Sequence, residues 1–109
     1  MSDGEKFFNH LSPSELERLA ILSEEAAEVQ KAIGKIIRHG YDSYNPDDLG
    51  AGSNRLQLQN ECGDLLFALH QMCGGTDALD LSWDMIERRA TFKQKRITRY
   101  LHHQEAIHE

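Results

Sequence analysis

Residues 12–40 read SPSELERLAILSEEAAEVQKAIGKIIRHG, and this stretch decides the fold. Ser12-Pro13-Ser14-Glu15 has the form of a capping box with proline at the first helical position. Such a box satisfies two orphaned amides reciprocally, and proline loses nothing there because its missing N–H has no helical partner. Leu19, Leu22, Ala26, Val29, Ile33, Ile36 and Ile37 then recur at helical spacing. Arg38 and His39 suit the negative end of a helix, and Gly40 suits its termination. The pattern predicts one helix of about 26 residues. Gly34 lies inside it at a cost of about 1 kcal/mol relative to alanine, which points to a kink or a close helix contact.

Beyond this helix, Pro, Gly, Asp, Asn and Ser crowd residues 39–53, which predicts an inter-helix loop. It is long for a connection between helices, as lids and binding loops are. A second helix is expected from Asn54 to Cys73, capped by Ser53 or Asn54. Leu58, Cys62, Leu65, Leu66, Leu69 and Cys73 form its apolar stripe, and Gly74-Gly75 stops it. A third begins near Ser82, capped by that serine or by Asp80, and continues through Trp83, Ile86, Ala90, Ile97 and Leu101. Residues 102–109 read as a frayed tail. No repeat and no strand pattern interrupts the series. The expected fold is all-α: a single helical domain over 1–109, a bundle of three main helices.

The bulk numbers narrow the function. A chain of 109 residues buries only roughly 60–65% of its unfolded surface, so a second copy would help to stabilise it. A net charge of −6 argues against general nucleic-acid or anionic-membrane binding. The longest apolar run, Leu65 to Leu69, is far too short to span a bilayer. The opening MSDGEKFF lacks the basic-then-apolar order of a secretory leader, so the expected location is cytoplasmic. Cys62 and Cys73 would lie about three turns apart on one helix, too far for a disulfide. They read as buried thiols.

The chemistry is carried by acids. Glu24-Glu25-x-x-Glu28 stands on the first helix and Glu61-x-x-Asp64 on the second. Residues three or four apart share a helix face, so Glu25 projects with Glu28 and Glu61 with Asp64. Each pair borders its apolar stripe. If the stripes pack with the helices antiparallel, both pairs converge at one edge of the seam. Several carboxylates held together need a cation, and an oxygen-only set suits hard magnesium or manganese. Magnesium also keeps waters and binds substrate phosphates. E-E-x-x-E alone is more often a solvated face; two motifs similarly placed are less often so. A di-iron bundle would add Glu-x-x-His on two helices, whereas the chain has this spacing only at Glu105 and His108. Six of the twelve Lys/Arg fall between Arg88 and Arg99. Lys93, Arg96 and Arg99 form a ridge, readable as a solvated face or as a phosphate grip. Lys31 and Lys35, on the acid-bearing side of the first helix, could serve the same end. The six histidines show no ligand spacing tied to cysteine and suit surface or capping roles.

Through EEAAE at residues 24–28, ECGD at 61–64 and the basic KQKRITRYL at 93–101, the chain resembles the MazG-like all-α nucleoside triphosphate pyrophosphohydrolases. The resemblance covers roughly Leu16 to Leu101. It implies a helical bundle completed by oligomerisation, as a homodimer or homotetramer. It implies hydrolysis of a nucleoside triphosphate to monophosphate and pyrophosphate, as in nucleotide-pool house-cleaning. Carried over residue by residue, Glu25, Glu28, Glu61 and Asp64 would bind magnesium. Glu24 would be an outer acid or would help orient the attacking water. The chain departs from many members in its long 39–53 segment and in Thr91, where they carry asparagine. Within the enzyme class, a phosphoribosyl-ATP or dUTP pyrophosphohydrolase remains open. The rival from another class is a non-catalytic helical interaction or nucleotide-binding module.

Overall fold

The computed structural model describes residues 8–74 and 80–104. The described residues are all-helical, with three α-helices and no strand. The helices are α1 (Pro13–His39), α2 (Asn54–Cys73) and α3 (Trp83–Ile97). The chain divides into two compact units, Met1–Met72 and Cys73–Glu109.

Helix α1 begins as its sequence requires. Ser12 Oγ accepts from the Glu15 amide at 3.1 Å, and the Glu15 carboxylate accepts from the Ser12 amide at 2.9 Å. At the other end Gly40 takes φ +87° and donates its amide to Ile36 O at 2.7 Å. A positive φ of this kind suits glycine because a Cβ would be strained there.

The segment between α1 and α2 is tied down at several points. Asp48 N–H donates to Asn45 O at 3.0 Å, leading into a single 3₁₀ turn at Leu49–Ala51. Tyr44 and Ser53 pair as an isolated antiparallel bridge. Asn54 N–H donates to Ser43 O at 2.8 Å and Arg55 N–H to Tyr41 O at 2.9 Å. The buried Asn54 side chain donates to Gly40 O at 3.1 Å. One asparagine thus links the end of α1 to the start of α2. Gly52, at φ +77°, could not carry a Cβ without meeting Leu56 Cδ2 at 2.7 Å. Ser53 caps α2, its hydroxyl accepting from the Leu56 amide at 3.2 Å.

Helices α1 and α2 face each other in antiparallel register. Lys35 Nζ donates to Gln57 Oε1 at 3.3 Å, Ala32 shares a concavity with Glu61, and Glu25 meets Asp64. Stepping back along α1 therefore steps forward along α2. The facing line runs through Leu22, Glu25, Val29, Ala32 and Lys35 on α1, and through Gln57, Leu58, Glu61 and Leu65 on α2, all buried or half-buried. This differs from the expected seam. Leu19, Ala26, Ile33 and Ile37 of the α1 stripe, and Cys62 and Leu66 of the α2 stripe, are exposed. The small side chain of Ala32, 6% exposed, suits a close approach of two helices. Glu25 and Glu61 lie on the seam itself, and much of each apolar stripe is exposed.

In the second unit, Ser82 caps α3 by accepting from the Met85 amide at 3.3 Å. A 3₁₀ turn at Thr98–Tyr100 extends it, so helical structure stops short of the expected Leu101. The tail beyond Gln104 lies outside the described residues, as does Gly75 of the second stop signal. Cys73 is buried, as expected, but the Cys62 thiol is exposed; both are free.

Candidate functional site

The antiparallel register brings Glu25, Glu61 and Asp64 together. One carboxylate oxygen from each lies within 4.8 Å of the others. Glu25 and Glu61 are half-buried and Asp64 is exposed. Helix α1 supplies the first acid, and one face of α2 supplies the other two, three residues apart. The Glu25 carboxyl is raised above its ordinary value. Loss of water is the largest cause, followed by the negative charges of Asp64, Glu24, Glu61 and Glu28.

Glu28 stands one turn further along α1. With Lys31, Ala32, Lys35, Gln57 and Glu61 it lines a concavity of about 210 Å³. Glu61 therefore belongs both to the acid cluster and to this hollow. Glu24 is exposed, and its charge reaches the Glu25 carboxyl. Of the acids picked out by sequence, Glu25, Glu61 and Asp64 come together, Glu28 lines the neighbouring hollow, and Glu24 is exposed.

The cluster fits a hard divalent cation. All its donors are carboxylate oxygens, which suits magnesium or manganese better than zinc. After loss of water, the nearby negative charges of Asp64, Glu24, Glu61 and Glu28 add to the rise of the Glu25 carboxyl.

A larger concavity, about 410 Å³, opens where α1 ends and α2 begins. Lys35, Arg38, His39, Tyr44, Asn54 and Gln57 are among its lining residues. Lys35 and Gln57 line both this hollow and the acidic one. Sequence reasoning missed Arg38, His39, Asn54 and Gln57 as site residues. Arg38 and His39 read as ordinary cations at a helix C-terminus, and Asn54 as a cap. Only the fold of residues 40–53 turns them toward a common space.

The basic ridge lies on the second unit. Lys93 and Arg96 line a hollow of about 260 Å³ with Arg89, Ile97 and Tyr100. Arg96 and Arg99 line another of about 380 Å³ with Phe92 and Lys95. Within α3, Arg88 pairs with Asp84 at 2.9 Å and the Arg89 guanidinium lies over the Phe92 ring at 4.7 Å. Of the aromatic residues considered for base stacking, Tyr41 is covered by the Arg55 guanidinium at 4.4 Å. Trp83 donates its indole N–H to Glu87 of the same helix. Tyr44 lines the 410 Å³ hollow.

No family model, curated protein or solved structure matches the chain. A functional assignment therefore rests on its residues and their arrangement. No helix among the described residues is long and apolar enough to cross a membrane.

Proposed function

We propose that the protein is a magnesium-dependent nucleoside triphosphate pyrophosphohydrolase, releasing a monophosphate and pyrophosphate. The observation that carries this reading is the convergence of Glu25, Glu61 and Asp64 from two antiparallel helices, oxygen to oxygen within 4.8 Å. The motif resemblance at residues 24–28 and 61–64 supports it. So does the position of lysines beside the acids: Lys31 and Lys35 share a hollow with Glu28 and Glu61. Carboxylates and ammonium groups side by side suit a ligand that is itself an anion carrying a cation.

In this reading Glu25, Glu61 and Asp64, with Glu28 one turn away, would hold the metal. Bound magnesium would supply charge neutralisation on the phosphates and a lowered pKa for the attacking water. Glu24 is assigned the orientation of that water. The water oxygen forms a bond to the α-phosphorus, its proton passes to a carboxylate, and the α–β bridging oxygen departs with its electron pair as part of pyrophosphate. Lys31 steadies the charge that develops on the leaving group. The proposed assembly is a homodimer or homotetramer, supported by the exposed apolar residues of α1 and α2. The proposed location is the cytoplasm.

The test is direct. Pure protein is incubated with magnesium and each ribo- and deoxyribonucleoside triphosphate, and the products are separated by chromatography. Monophosphate with pyrophosphate is the expected pair. Glu28→Ala and Glu61→Ala should each abolish turnover while helicity by circular dichroism is kept. Turnover retained in both would sink the assignment. Absence of turnover with every nucleotide, together with no effect of magnesium on thermal stability, would favour a non-catalytic binding module.

A further inference from the structure

The hollow between the end of α1 and the start of α2 has a chemical character of its own. Lys35, Arg38 and His39 line it, with Asn54 and Gln57 opposite and Tyr44 beside them. A helix C-terminus carries about half a negative charge, so one cation there is enough to offset it. Here three basic side chains gather within about one turn. Among the described residues neither Lys35 nor Arg38 makes an ion pair; the Lys35 ammonium donates instead to the neutral Gln57 amide at 3.3 Å. The Gln57 amide is itself held, donating to Gly52 O at 3.1 Å. The Arg38 guanidinium folds back along α1: its Nη1 lies 3.5 Å from where a Cβ on Gly34 would sit. Arg38 and Lys35 line the same hollow. The first amides of α2 contribute no free donor, because Asn54, Arg55, Leu56 and Gln57 already donate to Ser43 O, Tyr41 O, Ser53 Oγ and Ser53 O.

This hollow adjoins the acidic one through their shared wall of Lys35 and Gln57. Along the seam the order is Glu25, Glu28, Lys31, Lys35, Arg38. Charge passes from negative to positive over a few helical turns of about 5.4 Å each. A metal-chelated polyphosphate has the complementary order, with the cation at one end and free phosphoryl oxygens at the other.

We propose that the hollow lined by Lys35, Arg38, His39, Asn54 and Gln57 is an anion subsite that takes the terminal phosphates of a polyphosphate substrate and holds the pyrophosphate it releases. The inference rests on the pyrophosphohydrolase reading for its substrate, but its test does not. Arg38 forks onto the terminal phosphate, the planar arrangement that suits phosphate oxygens. Lys35 leaves Gln57 to bridge the two hollows as a point charge. Asn54 keeps the loop in place from below.

The experiment is calorimetric titration of the full chain with inorganic pyrophosphate, with chelator present and no divalent metal. Wild-type protein should bind. Lys35→Met and Arg38→Met should each weaken binding about tenfold, the loss of roughly one charge-assisted hydrogen bond. Arg38→Lys should recover part of it. Glu61→Gln should leave binding unchanged or tighten it, since a negative charge departs. Circular dichroism checks that each variant keeps its helices. No binding by wild type, or binding lost on Lys93→Met and Arg96→Met but kept in the Lys35 and Arg38 variants, would overturn the subsite. The two readings fail separately. Pyrophosphate binding without any nucleotide turnover sinks the enzyme and leaves the subsite. Turnover with an unchanged KM in Lys35→Met and Arg38→Met sinks the subsite and leaves the enzyme.

Discussion

At the scale of single residues, Glu25 concentrates the physics of the site. Its carboxyl is raised by loss of water first, then by Asp64, Glu24, Glu61 and Glu28. An acid with a raised value in the folded state binds protons more tightly there than in the unfolded chain. Its contribution to stability is therefore fully present below the ordinary carboxylate value and lost as pH rises through the raised one. The metal-free protein should lose thermal stability as pH climbs above the ordinary carboxylate range, and Glu25→Gln should flatten that slope. Millimolar magnesium should flatten it too, because a cation that binds the folded state stabilises it by mass action. Thermal melts across this pH range, with and without magnesium, check both statements. Identical melts with and without the metal at neutral pH would show that the acids do not hold it. In turnover, Glu24→Gln should cost roughly 10–100-fold in kcat/KM, as loss of an outer partner does. Loss of Glu61 should cost more, because it stands in both the acid cluster and the adjoining hollow.

At the scale of elements, the connection between α1 and α2 matters as much as the helices. Asn54 is 6% exposed and reaches from the first residue of α2 to the carbonyl of Gly40. Asn54→Ala leaves that carbonyl without its partner and should cost about 1–3 kcal/mol of stability by denaturant unfolding. It should also weaken pyrophosphate binding, since the loop carries Tyr44. Gly34 behaves in the opposite way. A Cβ there would meet only the Arg38 guanidinium, at an ordinary 3.5 Å. Gly34→Ala should therefore stabilise the protein by up to about 1 kcal/mol. A loss of stability would mean that α1 needs the glycine for a reason other than space. The helices themselves were legible in the sequence. The Ser12 box, the Ser53 and Ser82 caps and the stop at Gly40 are local chemistry, and each acts within about one turn of its own position. The pairing face was not. Periodicity placed Leu19, Ala26, Ile33 and Leu66 in the seam, but a stripe broad enough to be apolar on two sides does not say which side meets the neighbouring helix. Spacing showed which acids share a helix face, but the meeting of Glu25 with Glu61 and Asp64 follows from the register of the two helices and not from the stripes. The basic hollow could not be read from spacing either, because it depends on how residues 40–53 turn.

At the scale of the whole molecule, apolar side chains stand exposed along α1 and α2 among the described residues. Leu16, Leu19, Ala26, Ile33 and Ile37 of α1 are exposed, Ile37 at 79%. Their steps of three, seven, seven and four residues are those of a heptad seam, with Ser23 and Gln30 at the two missing positions. On α2, Leu66 and Phe67 are exposed as well, Phe67 at 60%. A helix apolar on a face that nothing covers gains stability by burying it, at roughly 25 cal/mol for each Å² removed from water. A second copy offers the same uncovered face and so suits a two-fold contact. Opposing this, every copy brings a net charge of −6, and like charges repel until salt screens them. Self-association should therefore strengthen as salt rises, the reverse of an assembly held by ion pairs. Sedimentation at micromolar concentration should give two or four times the 12.4 kDa of one chain. Ile33→Glu with Ile37→Glu should shift the protein to monomer, because each places a charge where the seam would be dry. Ser23→Glu and Gln30→Glu, at the polar positions of the same seam, should weaken association less. A wild-type protein that stays monomeric at all salt concentrations would mean that the outward face of α1 is not where copies meet.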